Sequence, residues 1–166
     1  MLMTSAFDLT GGKLQTRNMN YYYYKNATLP KVIATSFTDE EDTISFDLKS
    51  LYPVVSLSSL IRTNTFIRTP GSQSVVIQDK VKFSSSTTYE FAIPSRNGIW
   101  TEISATSNTL NGVMTVDTTS LNVRIHANNQ FKYSVARKTV LGLTYTRVGV
   151  SFLNPILDDT ITVTFN

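Results

Sequence analysis

The chain contains no cysteine and only one histidine, His126, among its 166 residues. The lack of cysteine excludes disulfide bonds and thiolate chemistry, but it does not decide the compartment, because exported bacterial proteins also manage without cystines. A zinc site usually needs three or four histidine, cysteine or carboxylate ligands, so one histidine without cysteine argues against structural zinc. The sequence therefore predicts no metal site and no cofactor.

Charge is also scarce, because Asp, Glu, Lys and Arg make up 16% of the chain where about a quarter is usual. The formal net charge is +3 and the basic residues are scattered, which predicts no nucleic-acid partner. No apolar run approaches the roughly 18 residues of a membrane helix. The first residues show no basic leader followed by an apolar core, so no secretory signal is visible.

What the chain does have is apolar residues at every second position, most clearly from Ser74 to Ser95. Such alternation is typical of a strand with one packed face and one wet face. The packed set is Val75, Ile77, Val81 and Phe83, and the opposite set is Gln78, Lys80 and Lys82. Asp79 falls in the apolar phase, which predicts a paired inward carboxylate or a bulge rather than a general base.

Turn signals divide the chain into strands of similar length. Pro and Gly within 69–72 predict a hairpin, and so do the dipeptides Asn97-Gly98 and Asn111-Gly112. No stretch keeps a helical apolar period, and no repeat or long linker is visible. We therefore predict a single domain over residues 1–166. Its fold class is all-β, an antiparallel two-sheet β-sandwich of roughly ten to twelve strands.

Candidate chemistry is sparse. The acidic run at 38–42 is most simply a solvated loop; calcium is the alternative, although the run lacks the spacing and central Gly of an EF-hand. His126 shares strand phase with Arg124 and should lie on a polar face. No nucleophile elbow, phosphate loop or dinucleotide fingerprint is present. The sequence thus offers no catalytic residue.

Aromatic side chains are the remaining candidates for a site. Four adjacent tyrosines, 21–24, would place two rings on each face of a strand. Either both faces are covered or one of them is a binding surface. The candidate ligand-binding residues are Tyr21, Tyr23, Trp100, Arg124 and His126, since sugars bind to exposed aromatic faces and planar polar groups.

Several segments follow one another in a recognisable order. They are Asp47-Leu48 to Tyr52, then Arg62 or Arg68, then Ile77 to Val81, and finally Asp159 to Phe165. This order resembles the C-terminal β-sandwich domain of heparinase II/III-type polysaccharide lyases, with its D-L-x-x-x-Y segment, Arg-led strand, V-x-D-x-[VF] strand and closing G-x-I-x-V-x-F strand. The resemblance runs from about Thr35 to the end of the chain.

The resemblance implies an accessory module that supports or binds acidic polysaccharide and does not catalyse on its own. Such lyases keep most groups for β-elimination in a helical domain, which would be the partner here. The family's sandwich histidine and zinc ligands do not carry over, because the first 125 residues contain no histidine. Within a larger chain the module would belong to a lyase, and an extracellular or periplasmic location would be expected.

A second hypothesis comes from a different class of protein. Cysteine-free sandwiches rich in Ser, Thr and Asn also serve as self-assembling jelly-roll subunits of coats or fibres. The chain has no basic arm for packaging nucleic acid, which argues against a coat. The oligomeric state, the glycan and the source are not predicted by the sequence.

Overall fold

The computed structural model describes residues 2–3, 30–52, 54–140 and 143–166. This part of the chain is all-β, as predicted, and its one helical segment is a short 3-10 helix, Lys49–Leu51, far too short to cross a membrane. The twelve strands are β1 Leu2–Met3, β2 Lys31–Phe37, β3 Glu41–Asp47, β4 Leu57–Ile67, β5 Ser74–Thr87, β6 Tyr89–Arg96, β7 Ile99–Ala105, β8 Thr109–Val116, β9 Thr119–Ala127, β10 Phe131–Val140, β11 Leu143–Phe152 and β12 Ile156–Phe165.

These strands form two sheets. The larger has eight strands in the order β2-β3-β4-β5-β12-β9-β8-β7, and the smaller has four in the order β1-β6-β11-β10. The two-residue β1 runs parallel to β6, and the other neighbours in both sheets are antiparallel. The predicted antiparallel two-sheet fold is therefore confirmed.

The faces of β5 follow the alternation in its sequence. Val81 and Phe83 are buried, while Lys80 and Lys82 between them are exposed. Successive side chains of a strand point to opposite faces of the sheet. The two-residue alternation therefore assigns one set of side chains to the core face and the other set to the outer face. The same holds in the neighbouring β12, where Ile161 and Val163 have no exposed surface.

Aromatic contacts join the two sheets. The rings of Phe83, in the larger sheet, and Tyr89, in the smaller one, meet edge to face with centroids 6.1 Å apart. Tyr89 also stacks on Phe152, with centroids 5.8 Å apart. Edge-to-face and offset pairs at this spacing are favourable beyond their buried area. The core thus lies between two facing sheets, as a sandwich requires.

One predicted turn is confirmed. β4 and β5 are joined through residues 68–73, where Ser72 donates its backbone N–H to the Thr69 carbonyl at 3.0 Å. Gly71 adopts φ of +80°, a conformation that only glycine takes readily. The Pro-Gly signal therefore marked a true hairpin.

The two Asn-Gly predictions of hairpins were wrong. Asn97 does form a turn, with φ of 56°, but β6 and β7 on either side belong to different sheets. Asn111 and Gly112 lie inside β8, and the β8–β9 turn contains Asp117 at φ of 54° instead. A Cβ on Gly112 would lie 3.3 Å from the Trp100 ring, so this glycine serves close packing rather than a turn.

Candidate functional site

One row of polar side chains crosses the outer face of the eight-stranded sheet. Its members are register partners on six adjacent strands from β3 to β8: Ser45, Thr63, Gln78, Thr162, His126 and Thr109. We call this set the polar row. Their strand neighbours Ile125, Ile161 and Val163 face the core and have no exposed surface, so the polar row lies on the side away from the smaller sheet.

Side-chain hydrogen bonds join the polar row in three pairs, the middle one from Gln78 Nε2 to Thr162 Oγ1 at 3.4 Å. At one end the hydroxyls of Ser45 and Thr63 are 2.8 Å apart. At the other end Thr109 Oγ1 lies 3.0 Å from His126 Nδ1. Cross-strand pairs of this kind contribute a few tenths of a kcal/mol each, up to about 1 kcal/mol. The result is a strip of hydroxyl, amide and imidazole groups across six strands, with Ser45 at one end buried.

Three basic side chains flank the polar row. Arg124 is exposed on one side of it, and Lys80 and Lys82 are exposed on the other. Acidic residues also lie on this stretch of the face: Asp158 is the register partner of Lys82, and Asp47 lies in register with Lys80 two strands away. Within the described residues none of the three cations has a carboxylate within 4.0 Å. The centre of the face is therefore positively charged.

The spacing of these cations follows from the register. Lys80 is opposite Thr160 and Arg124 is opposite Thr164, so they are two strands and four residues apart. Strand spacing and rise then separate their Cα atoms by roughly 16 Å. A ligand touching both would have to be extended, and it would cross the polar row.

The structure brings together only two of the predicted site residues. Arg124 and His126 share the outer face of β9, so the predicted polar-face position of His126 is confirmed. Trp100 is 9% exposed and packs over Gly112. Its ring is therefore not the exposed aromatic face that the predicted sugar contact requires. Tyr21 and Tyr23 lie outside the described residues. The polar row itself was missed, because register across six strands cannot be read from one sequence.

Asp79 is paired inward, as predicted. Its two carboxylate oxygens accept hydrogen bonds from Arg62 Nε and Nη2, both at 2.7 Å, and its side chain has no exposed surface. Burial alone would lower the pKa of Arg62, but the hydrogen bond and charge of Asp79 outweigh it and raise that pKa. The stability that comes from the raised pKa of Arg62 is therefore present below the ordinary arginine pKa and is lost as the pH rises through the raised value. This is a structural pair.

A second ion pair was not predicted. Arg147 on β11 pairs with Glu90 on β6, with side chains 0% and 8% exposed, and Ser151 Oγ donates to Glu90 Oε2 at 3.0 Å. Both residues lie on the face of the smaller sheet opposite Val148. Simple alternation along β11 would place Arg147, Gly149 and Ser151 on a solvent-exposed face. Alternation alone could not show that this face is buried too.

Metal-binding geometry is not found in the described part of the chain. No three or more His, Cys, Asp or Glu side chains there lie close enough to share an ion.

Comparison with known proteins finds similarity in structure only. No protein-family model matches the sequence, and no curated protein matches it. A structure of a heparinase III gene product superimposes with a TM-score of 0.54 at 17% identity, over 82% of this chain and 21% of that one. A second structure of that protein, with methylated lysines, has the same values. A mutant of heparan sulfate lyase HepC from Pedobacter heparinus has a TM-score of 0.47 at 13% identity, with the same coverage.

The chain thus spans about a fifth of the length of these structures. At 17% identity the likeness concerns the fold. The predicted resemblance to the heparinase sandwich is confirmed at that level: this chain shares a β-sandwich fold with part of the heparinase III structure.

Proposed function

We propose that this chain is an accessory β-sandwich module that binds acidic polysaccharide without cleaving it, in support of a polysaccharide-degrading domain. The observation that carries the proposal is the outer face of the eight-stranded sheet, where Lys80, Lys82 and Arg124, which have no ion-pair partner among the described residues, flank the polar row. The fold shared with heparinase III supports the same reading.

The chemistry of this face suits an anionic sugar polymer. Hydroxyl, amide and imidazole groups exchange hydrogen bonds with sugar hydroxyls, and lysine and arginine pair with carboxylate or sulfate groups. The cations lie on opposite sides of a row that crosses six strands, so the face favours a linear chain over a compact ligand. The exposed cations also steer a polyanion towards the sheet.

The absence of catalysis is argued from what β-elimination requires. A base must reach the carbon acid while another group neutralises the neighbouring carboxylate, both within hydrogen-bond distance. The strands of the eight-stranded sheet contain no tyrosine, and the cross-strand neighbours of their single histidine, His126, are Thr162 and Thr109, which supply no second acid–base group. This supports a binding role rather than a lyase role for the face.

Calorimetric titration with heparan sulfate, hyaluronan and dextran tests the binding. Both acidic polymers should bind and neutral dextran should not. Lys80→Gln and Arg124→Gln should each weaken binding by roughly up to fivefold, the range for one exposed charge pair. Arg137→Gln, which removes an exposed charge from β10, is the matched control and should leave the affinity unchanged. Equal losses in all three variants would show that only net charge matters and would reject the face.

The catalytic half of the proposal has its own assay. Incubation of the chain alone with either acidic polymer should produce no ultraviolet absorbance from unsaturated uronate. Robust production of that chromophore would refute the accessory role.

A further inference from the structure

A second candidate site lies away from the polar row, at one end of the sandwich. An open cavity of about 530 Å³ forms where the end of β5, the β9–β10 connection and the β11–β12 connection meet. Its polar lining includes Ser86, Asn129, Gln130, Asn154 and Asp158. A cavity of this size with a few placed polar groups is typical of small-molecule sites.

The cavity wall is held by a buried carboxylate. Asp159 is 4% exposed and accepts hydrogen bonds from the backbone N–H groups of Asn128 and Asn129, both at 2.9 Å. It also accepts from Asn129 Nδ2 at 2.8 Å, and the same Nδ2 donates to the Asp158 carbonyl at 3.2 Å. The amide orientation of Asn129 is thereby fixed, which leaves its side-chain oxygen as an acceptor.

A main-chain hydrogen bond ties the two connections to each other. The N–H of Leu153 donates to the Gln130 carbonyl at 3.1 Å. Both connections are therefore positioned before any ligand arrives, and a preorganised site loses less entropy on binding.

The chemistry of the lining selects the ligand. It offers amides, a hydroxyl and the Asp158 carboxylate, and no basic side chain lines it, although Lys82 of the cationic face is the register partner of Asp158. The lining itself therefore favours an uncharged ligand over an anionic one. Amides and carboxylates form paired hydrogen bonds with neighbouring hydroxyls. Pro155 and Leu157, the latter 53% exposed, add apolar surface for the C–H face of a ring. We infer that this cavity binds a neutral sugar residue, independently of the cationic face.

Amide chemical shifts followed by nuclear magnetic resonance would test this inference. N-acetylglucosamine and glucose should shift the backbone amides of Asn129, Gln130 and Asn154, with saturation in roughly the millimolar range. Glycylglycine, a small polar molecule that is not a sugar, should shift none of them. No shifts with either sugar, or equal shifts with the dipeptide, would overturn the inference.

Variants separate this cavity from the sheet face. Gln130→Ala and Asn154→Ala change exposed side chains and should weaken sugar binding at least fivefold. Asn122→Ala, an exposed amide on the outer face of β9, is the matched control and should bind normally. Arg124→Gln should lower polysaccharide affinity and leave sugar binding unchanged. Unchanged sugar affinity in both cavity variants would reject the site even if the face binds polysaccharide.

Asp159 is a positioning residue in this scheme. Asp159→Asn retains one acceptor oxygen in place of two, so it should loosen Asn129 and weaken sugar binding. The amide resonances of Asn128 and Asn129 should also move before sugar is added. Unmoved resonances together with full sugar affinity would contradict the role.

Discussion

Two residues of opposite charge, Arg62 and Asp79, meet on the core side of the larger sheet, with side chains 26% and 0% exposed. Their fork-shaped contact satisfies both carboxylate oxygens, so the cost of burying the charge is offset by two short hydrogen bonds. Such a pair adds little net stability over apolar residues of similar volume, but either partner alone is costly.

Asp79→Ala should therefore destabilise the fold by about 3 kcal/mol, because it leaves the Arg62 guanidinium mostly buried without its partner. Chemical denaturation with urea measures the free energy of unfolding. The double variant Arg62→Met with Asp79→Leu removes both charges and should cost much less. A double variant less stable than Asp79→Ala would show that the ion pair itself stabilises the fold.

Gly149 is required by the second ion pair. A Cβ at this position would lie 2.6 Å from Arg147 Nη1, 3.0 Å from Glu90 Oε1 and 3.2 Å from Ser134 Oγ. Gly149→Ala should thus displace the pair and cost about 1–3 kcal/mol in thermal or urea unfolding. Ser134→Ala removes one of the crowded atoms and should recover part of that loss. No change in stability on Gly149→Ala would mean that the pair can shift freely.

The strands of the eight-stranded sheet differ in how deeply their side chains are buried. β12 lies between β5 and β9 and buries Ile156, Asp159, Ile161 and Val163. β2 is an edge strand whose residues are all exposed, Val32 and Ile33 at 48% and 46% among them. Its pairing with β3 has a register shift between Val32 and Ala34, a bulge-like irregularity that discourages pairing with another chain.

Hydrogen exchange should show this difference in burial between the central strands and the edge strand β2. Backbone amides in the middle of β12 and β9 should exchange only through global unfolding, and those of β2 should exchange through local opening. Mass spectrometry of exchanged peptides distinguishes the two at neutral pH. Protection of β2 equal to that of β12 would contradict an exposed edge and would indicate that something covers it.

At the scale of the whole molecule, two hypotheses differ in oligomeric state: an accessory module and a self-assembling structural subunit. The polar row and three basic side chains occupy the centre of the outer face of the larger sheet, and the irregular pairing of β2 weakens one route to edge association. We expect monomers or dimers in sedimentation velocity experiments across a range of protein concentrations. Large closed particles would instead favour the jelly-roll subunit, the alternative that the composition leaves open.

Much of this fold could be predicted from local chemistry. The two-residue period of β5 assigns its faces, and the Pro-Gly turn joins it to β4. The inward position of Asp79 also follows from its phase, although its partner does not. These features depend only on residues close together in the sequence, because backbone geometry sets both the side-chain alternation of a strand and the residue preferences of a turn.

The rest depends on distant pairings. Asn97-Gly98 predicts a chain reversal, but no local signal says that β7 joins the other sheet. The polar row exists only because six strands align in one register, and Asp159 meets Asn128 and Asn129 across some 30 residues of chain. Strand periodicity thus determined the class of fold and which side chains share one face of a strand. Tertiary packing alone decided which of them lie side by side, because register between strands is set by the combined burial of the whole core.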